Sequence, residues 1–232
     1  MSGWRLGYGW TRGMTGLVVA CTAVYGLELL AWHTGLSGTP LRLVLDHAVL
    51  DPWAALVHLE LWQLVTYQVM HDPRDPLHLV FNMLVLYSFG GLFERRWGTR
   101  ELLRFLVVSG AGAGLVGAVF GLAVPSLFGG PIVGLSGALA ALIMAFGLIF
   151  PEQRVQVWFV ASVPAKQLVW ALAALDLIFF LTGARIAVAV HAGGYLMGWL
   201  LVTGWWRWSR LSTLWRRGPR PRKAGRFKVY SN

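Results

Sequence analysis

Six long apolar runs dominate this chain and limit what it can fold into. A helix needs roughly 20 mostly apolar residues to cross a bilayer, and the runs approach that length. With 56% hydrophobic and 13% charged residues and a mean hydropathy of +0.59, the chain is too apolar for a soluble domain of its size. The sequence therefore predicts an all-α, polytopic membrane protein whose six transmembrane helices lie near residues 14–32, 78–95, 101–123, 133–150, 166–182 and 186–206.

The basic residues predict an orientation for this bundle. Cytoplasmic segments of membrane proteins are enriched in Lys and Arg. If both termini are cytoplasmic, seventeen of the twenty Lys and Arg residues fall on the inner side, and only Arg42, Arg74 and Arg185 fall outside. We therefore expect both termini in the cytoplasm.

Three segments follow from this topology. We expect a short cytoplasmic N-terminus (1–13), a membrane domain (14–206) with a long outer loop (33–77), and a basic cytoplasmic tail (207–232). Nine of the twenty basic residues lie in that tail. The net charge of +10 therefore predicts contact with anionic lipids and not with nucleic acid.

Polar residues gather in the first turns of the second, fourth and sixth predicted helices, all near the outer face. His78 and Asn82 are four residues apart and share one helical face. Ser136 opens the fourth helix, and His191 lies one to two turns into the sixth. Polar side chains inside a membrane are costly, so a set at one depth is a functional hypothesis.

Acyl transfer is the chemistry that this set fits. A neutral imidazole can take the proton of a serine hydroxyl and so activate it as a nucleophile. The N–H groups at a helix N-terminus, together with Asn82 and His78, can stabilise the resulting oxyanion. Each residue alone also fits helix packing or an interfacial position, so it is their joint occurrence that favours catalysis.

Four motifs in this order resemble the rhomboid intramembrane serine proteases of the compact bacterial six-helix type. The similarity runs from about Glu60 to the end of the sixth predicted helix. The motifs are His78-x-x-x-Asn82, Gly90-Gly91-x-x-Glu94-Arg-Arg-x-Gly98, Gly134-Leu-Ser136-Gly137 and His191-x-x-Gly194-x-x-x-Gly198.

The resemblance implies a catalytic dyad of Ser136 and His191 with no catalytic carboxylate. It implies an oxyanion site formed by Asn82, His78 and the Ser136 amide, in a water-filled cavity open to the outer face. The substrates would be single-pass transmembrane proteins, cleaved within or near the membrane segment. The compact six-span plan fits a bacterial inner membrane. Because the histidines form no ligand cluster with thiolates or carboxylates, we expect no metal or organic cofactor. The glycines of these motifs, Gly134, Gly137, Gly194 and Gly198, would allow close approach of backbones.

The chain departs from the family pattern at several places. Gln63 follows Trp62 where the family commonly has arginine, and Ala140 stands where an aromatic ring often stacks on the catalytic histidine. Under this resemblance, two residues are added between His71 and His78, within 72–76, beside the site. Asp176, an ionisable residue inside the fifth predicted helix, fits a structural role under the resemblance, although an orienting role toward His191 stays open.

Three other functions are compatible with parts of this pattern. A rhomboid-like protein that binds membrane clients without cutting them would keep the fold but lose the serine or the histidine, whereas both are present. A channel or transporter would carry polar residues through the full membrane depth. A soluble serine hydrolase would need glycine where Ala138 stands and a strand before Ser136.

Overall fold

Six long helices form the protein in the computed structural model, which describes residues 9–34, 39–157, 161–183 and 185–204. Within these residues, five helices are long and apolar enough to cross a membrane, and the fourth is a shorter apolar helix. The six predicted apolar runs are thus confirmed as helices. The predicted basic tail, 207–232, and most of the predicted N-terminus, 1–13, lie outside the described residues. In chain order the helices are Arg12–Thr34, Pro76–Trp97, Thr99–Ala123, Ser136–Ile149, Ala165–Thr182 and Arg185–Thr203, called the first to sixth helix below.

The fourth helix starts three residues later than predicted, at Ser136 and not at residue 133. Ile132 pairs with Leu50 of the outer loop through two main-chain hydrogen bonds of 2.9 and 3.1 Å. Gly134 then adopts a positive φ of 108°, a conformation that glycine reaches without steric cost. Because the chain is extended and then turned at these residues, no helix can begin before Ser136.

The fourth helix lies at the centre of the bundle and is buried along most of its length. The third and sixth helices pack against it and against each other through small residues. A Cβ atom added to Gly193 would come within 3.0 Å of the Ala113 Cα atom. Such close backbone approach is typical of small residues at helix interfaces in membranes.

Glu94 of the Gly-Gly-x-x-Glu motif joins three helices at the end of the second one. Its carboxylate accepts the main-chain N–H groups of Gly13 and Met14, at 2.8 and 2.9 Å, and the Thr99 hydroxyl at 2.6 Å. It also accepts the hydroxyl of Thr11. A helix N-terminus has unpaired N–H groups and a positive dipole end. The buried Glu94 carboxylate, from the second helix, therefore caps the N-terminus of the first helix.

The outer loop contains short helices that the hydropathy pattern did not predict. They cover Pro40–Ala48, Pro52–Leu56 and Gln63–Thr66, followed by a 3-10 turn at Tyr67–Val69. The buried Tyr67 hydroxyl donates to the Gly110 carbonyl at 2.7 Å, which ties the loop to the third helix. The loop is therefore folded and packs against the third helix.

A two-stranded antiparallel hairpin connects the fourth and fifth helices. Its strands are Arg154–Val157 and Ala161–Pro164. This hairpin was not predicted, because four-residue strands give too short a pattern to be read from sequence. Apart from it, the regular structure of the described residues is helical.

Candidate active site

Ser136 is the first residue of the fourth helix, at the end where main-chain N–H groups are not bonded within the helix. Leu135, the N-cap residue, provides no side-chain hydrogen bond to these groups. The Ser136 side chain is partly exposed. The hydroxyl therefore lies at a helix terminus that can donate hydrogen bonds to an anion.

His78 and Asn82, from the second helix, lie directly over the turn that precedes Ser136. A Cβ atom added to Gly134 would be 2.5 Å from Cε1 of His78 and 3.6 Å from Nδ2 of Asn82. Gly134 is thus required by its positive φ and by the closeness of the His78 ring. The geometry brings the two predicted oxyanion side chains to the N-terminus of the fourth helix.

The sixth helix brings His191 to the same place. A Cβ atom on Gly137 would be 2.8 Å from Cγ1 of Val190, the neighbour of His191, and one on Gly194 would overlap the Gly137 carbonyl oxygen. One turn further, a Cβ atom on Gly198 would be 2.5 Å from the Ala141 oxygen. The chain neighbours of Ser136 and His191, Gly137 and Val190, are thus in contact across the interface of the fourth and sixth helices.

His71 orients the Asn82 amide. The Asn82 Nδ2 group donates to Nε2 of His71 at 3.2 Å and to the His78 carbonyl at 3.0 Å, and the His71 Nδ1 group donates to the Val69 carbonyl at 3.3 Å. This arrangement needs a neutral His71 ring, because Nε2 must accept. Burial lowers the pKa of His71 from 6.5 to about 4, which keeps that form at neutral pH.

His71 lies inside the bundle, although its position in the long loop favours an interfacial side chain. Its side chain is fully buried, and its ring lies 5.3 Å from the His78 ring, centre to centre. The cause is Glu28 of the first helix, whose carboxylate accepts the His71 main-chain N–H at 3.0 and 3.2 Å. This contact draws the end of the outer loop into the bundle.

Asp176 of the fifth helix contacts His191. One carboxylate oxygen lies 2.7 Å from the His191 Nδ1 atom, and the other accepts the Tyr195 hydroxyl at 2.9 Å. Both donors belong to the sixth helix and lie four residues apart, on one helical face. The carboxylate is largely buried, with an exposed side-chain fraction of 12%.

The structure also shows the contacts of the other residues at which the chain departs from the family pattern. Gln63, in place of the usual arginine, accepts the Asp51 main-chain N–H at 2.9 Å and donates to the Glu60 carboxylate at 2.7 Å, so it still anchors the loop. Within the added segment, Asp75 caps the second helix by accepting the His78 N–H at 3.2 Å. Ala140 contributes a methyl group beside Gly194 and no ring.

Sequence reasoning missed two residues of this region. Glu28 was overlooked although a lone carboxylate in an apolar span is a strong signal for a functional or structural role. Tyr195 carries no such signal, because an uncharged tyrosine in the middle of an apolar helix also fits packing alone. No group of three or more His, Cys, Asp or Glu side chains is arranged for a metal ion in the part of the chain that the structure describes.

Comparison with known proteins identifies the family. The model of the rhomboid domain matches residues 58–208, which include every residue of the site described above except Glu28. The chain belongs to the rhomboid family. It is an integral, multi-pass membrane protein of that family, as the apolar helices also require.

Several bacterial proteins named "Rhomboid protease GlpG" are similar to this rhomboid protein. The one from Yersinia pestis (strain Pestoides F) is 30% identical over 197 residues, which cover 82% of this chain and 60% of the relative. The one from Photorhabdus laumondii subsp. laumondii is 31% identical over 145 residues, 62% of this chain and 47% of the relative. The chain thus spans about half to three fifths of the length of these relatives.

Proposed function

We propose that this protein is an intramembrane serine endopeptidase that cleaves single-pass transmembrane proteins within or near their membrane segment. The observation that carries the proposal is the position of Ser136 at an uncapped helix N-terminus, against the face of the sixth helix that bears His191. The names of the bacterial relatives support protease activity.

Ser136 is the proposed nucleophile and His191 the proposed general base. Nε2 of His191 takes the hydroxyl proton as Oγ attacks the scissile carbonyl carbon, and the same proton then goes to the leaving amine. Water hydrolyses the acyl-enzyme in a second, equivalent step. Both side chains are partly exposed, as groups that must meet a substrate need to be.

The oxyanion of the tetrahedral intermediate is bound by the Ser136 N–H, Asn82 and His78. Both hydrogens of the Asn82 Nδ2 group are already engaged, by His71 and by the His78 carbonyl. A substrate oxyanion must therefore replace one of these acceptors. An anion is the stronger acceptor, so the exchange favours the transition state over the resting enzyme.

We infer the orientation, location and partners of the protein from its predicted topology and its bacterial relatives. We place both termini in the cytoplasm and the site near the outer face, in the inner membrane of a bacterium. Anionic lipids are the proposed contact of the basic tail, and nucleic acid is not a partner. The reaction uses no metal or organic cofactor, because serine, histidine and amide groups supply each proton transfer and charge contact.

The proposal is tested by cleavage of a model single-pass substrate in proteoliposomes. The parent and Ser109→Ala should cut it, whereas Ser136→Ala should not and His191→Ala should lose activity at least about a hundredfold. Ser109 is a matched control, because it is a buried helical serine that bonds only its own helix, at Leu106. A Ser136→Ala protein that still cuts would refute the proposal.

A further inference from the structure

The buried carboxylate of Asp176 is the feature that the proposed dyad leaves unused. Charged side chains in membrane helices are costly and persist where they have partners or a function. Asp176 has two partners, His191 and Tyr195, and both belong to the helix that carries the general base. Among the described residues, the hydrogen-bond partners of this carboxylate thus both belong to the sixth helix.

We propose that Asp176 is a positioning residue that orients His191, so that this protein works with a Ser136–His191–Asp176 triad. Tyr195 holds the Asp176 carboxylate in place. The inference rests on the proposed function of Ser136 and His191. It departs from the dyad without carboxylate that the family resemblance implies.

The contact with Asp176 selects the tautomer of the neutral His191 ring. A carboxylate only accepts hydrogen bonds, so the 2.7 Å contact fixes the proton of the neutral ring on Nδ1. The lone pair of Nε2 is then free to take the Ser136 proton. Without the carboxylate, the ring could hold its proton on Nε2 and would not act as a base.

The Asp176 carboxylate also stabilises the positive charge that forms on His191 during the reaction. When Nε2 takes the serine proton, the ring becomes an imidazolium while Nδ1 keeps its own proton. The adjacent carboxylate stabilises that cation in surroundings where water screens little. No proton moves to the carboxylate, and the proton on Nε2 passes to the leaving amine, so protons and charges balance over the step.

Asp176 also restrains the His191 ring in a way that Ala140 cannot. An alanine there cannot stack on the histidine ring, and its methyl group faces Gly194 instead. The ring needs another contact to limit its rotation, and the hydrogen bond that its Nδ1–H group donates to Asp176 supplies it. The Tyr195 hydroxyl occupies the other carboxylate oxygen and thereby fixes the direction of the first.

A purely structural role must be separated from this one. Ala165, Val169 and Asp176 are the buried residues of the fifth helix, so Asp176 also helps to attach that helix. Loss of attachment would lower the melting temperature and alter KM for a membrane substrate. Loss of histidine orientation would lower kcat and the rate at which a small fluorophosphonate labels Ser136.

The test compares the parent, Asp176→Asn, Tyr195→Phe and Val169→Ala in detergent. For each we would measure the melting temperature, the fluorophosphonate labelling rate, and kcat and KM for a transmembrane substrate. Val169→Ala is the matched control, because Val169 packs on Gly147 of the fourth helix, far along the fifth helix from the histidine. It should melt earlier yet label within about twofold of the parental rate.

Asp176→Asn should label at least about 30-fold more slowly, with kcat reduced equally and KM unchanged within about twofold. Tyr195→Phe, which keeps the carboxylate, should lose about three- to tenfold in both rates. A folded Asp176→Asn protein that labels at the parental rate overturns the inference while leaving the dyad intact. If Asp176→Asn does not fold, a parental rate in Tyr195→Phe overturns it, and a parent that never labels refutes the proposed function itself.

Discussion

Glu28 in the first helix accepts the main-chain N–H of His71, at 3.0 Å for the nearer of its two carboxylate oxygens. His71 in turn accepts the Asn82 amide through Nε2. One buried carboxylate thus positions the last turn of the outer loop, and that turn positions a proposed oxyanion donor. The first helix, which contributes no residue to the chemistry, supports the site through this contact.

Removal of the Glu28 acceptor should impair catalysis through Asn82. Glu28→Ala leaves the His71 N–H without its acceptor, and we expect about a tenfold loss of kcat together with about 1–3 kcal/mol of stability. Glu28→Gln keeps an acceptor oxygen and should stay within about threefold of the parent. Substrate cleavage and thermal unfolding in detergent measure both effects. Equal damage in the two variants would contradict a role based on hydrogen bonding.

The lowered pKa of His71 predicts a loss of stability in acid. Between pH 6.5 and about 4 the unfolded chain binds a proton at His71 and the folded protein does not, so acid favours unfolding. The full effect is on the order of 3 kcal/mol at and below pH 4, and it is absent above pH 7. His71→Gln can still accept from Asn82 and has no proton to bind.

The pH effect is measured as the difference in melting temperature between the parent and His71→Gln at pH 7.5 and at pH 5. The melting temperature of the parent should fall further on acidification than that of His71→Gln, since the other groups titrate equally in both proteins. An identical fall in the two proteins would show that His71 is not the group responsible.

Close packing of the fourth and sixth helices should tolerate no added methyl group at Gly194. A Cβ atom there would overlap the Gly137 carbonyl oxygen, which is backbone and cannot move aside. We expect Gly194→Ala to lose about 1–3 kcal/mol of stability and on the order of a hundredfold in kcat, because His191 shifts away from Ser136.

Gly26→Ala is the matched control for Gly194→Ala. Gly26 also lies in a membrane helix, but nothing is within 4 Å of a Cβ atom added there. It should be neutral or slightly stabilising, since alanine has the higher helix propensity. Melting temperatures and cleavage rates compare the two, and an active, stable Gly194→Ala protein would contradict the packing argument.

Glu94 should matter for stability more than for chemistry. Glu94→Ala removes the acceptor of two main-chain N–H groups and two hydroxyls, so we expect a loss of about 3 kcal/mol. Glu101→Ala, which removes only an exposed pair with Arg104, should cost less than about 1 kcal/mol. Fluorophosphonate labelling below the melting temperature should stay close to the parental rate in both.

The six helices could be predicted because a bilayer accepts only long apolar segments whose backbone groups are bonded internally. The grouping of Ser136, His191, His78 and Asn82 was predicted from their shared depth. The structure places His78 and Asn82 beside Gly134, and Val190, the neighbour of His191, beside Gly137. The contact of Asp176 with His191 was not predicted. An apolar helix has no polar face in its sequence to show which side meets its neighbour, so the rotation of the fifth helix emerges only from packing.

His71 illustrates a second kind of limit. Its neighbours in sequence are polar and proline-rich, which indicates an exposed loop, yet a carboxylate 43 residues away in the chain draws it into the interior. The short helices of the outer loop likewise depend on contacts with other segments of the chain. Gln63 and Tyr67 are examples, since each is held by a partner outside its own helix or turn.

The central claim is that Ser136 is a nucleophile. The most direct measurement is peptide mapping by mass spectrometry after the folded, full-length protein reacts with a fluorophosphonate. We expect a single phosphonyl adduct on Ser136, lost in Ser136→Ala and retained in Ser109→Ala. A folded parent that carries no adduct and leaves a transmembrane substrate uncut, or an adduct on another residue that persists in Ser136→Ala, would contradict it.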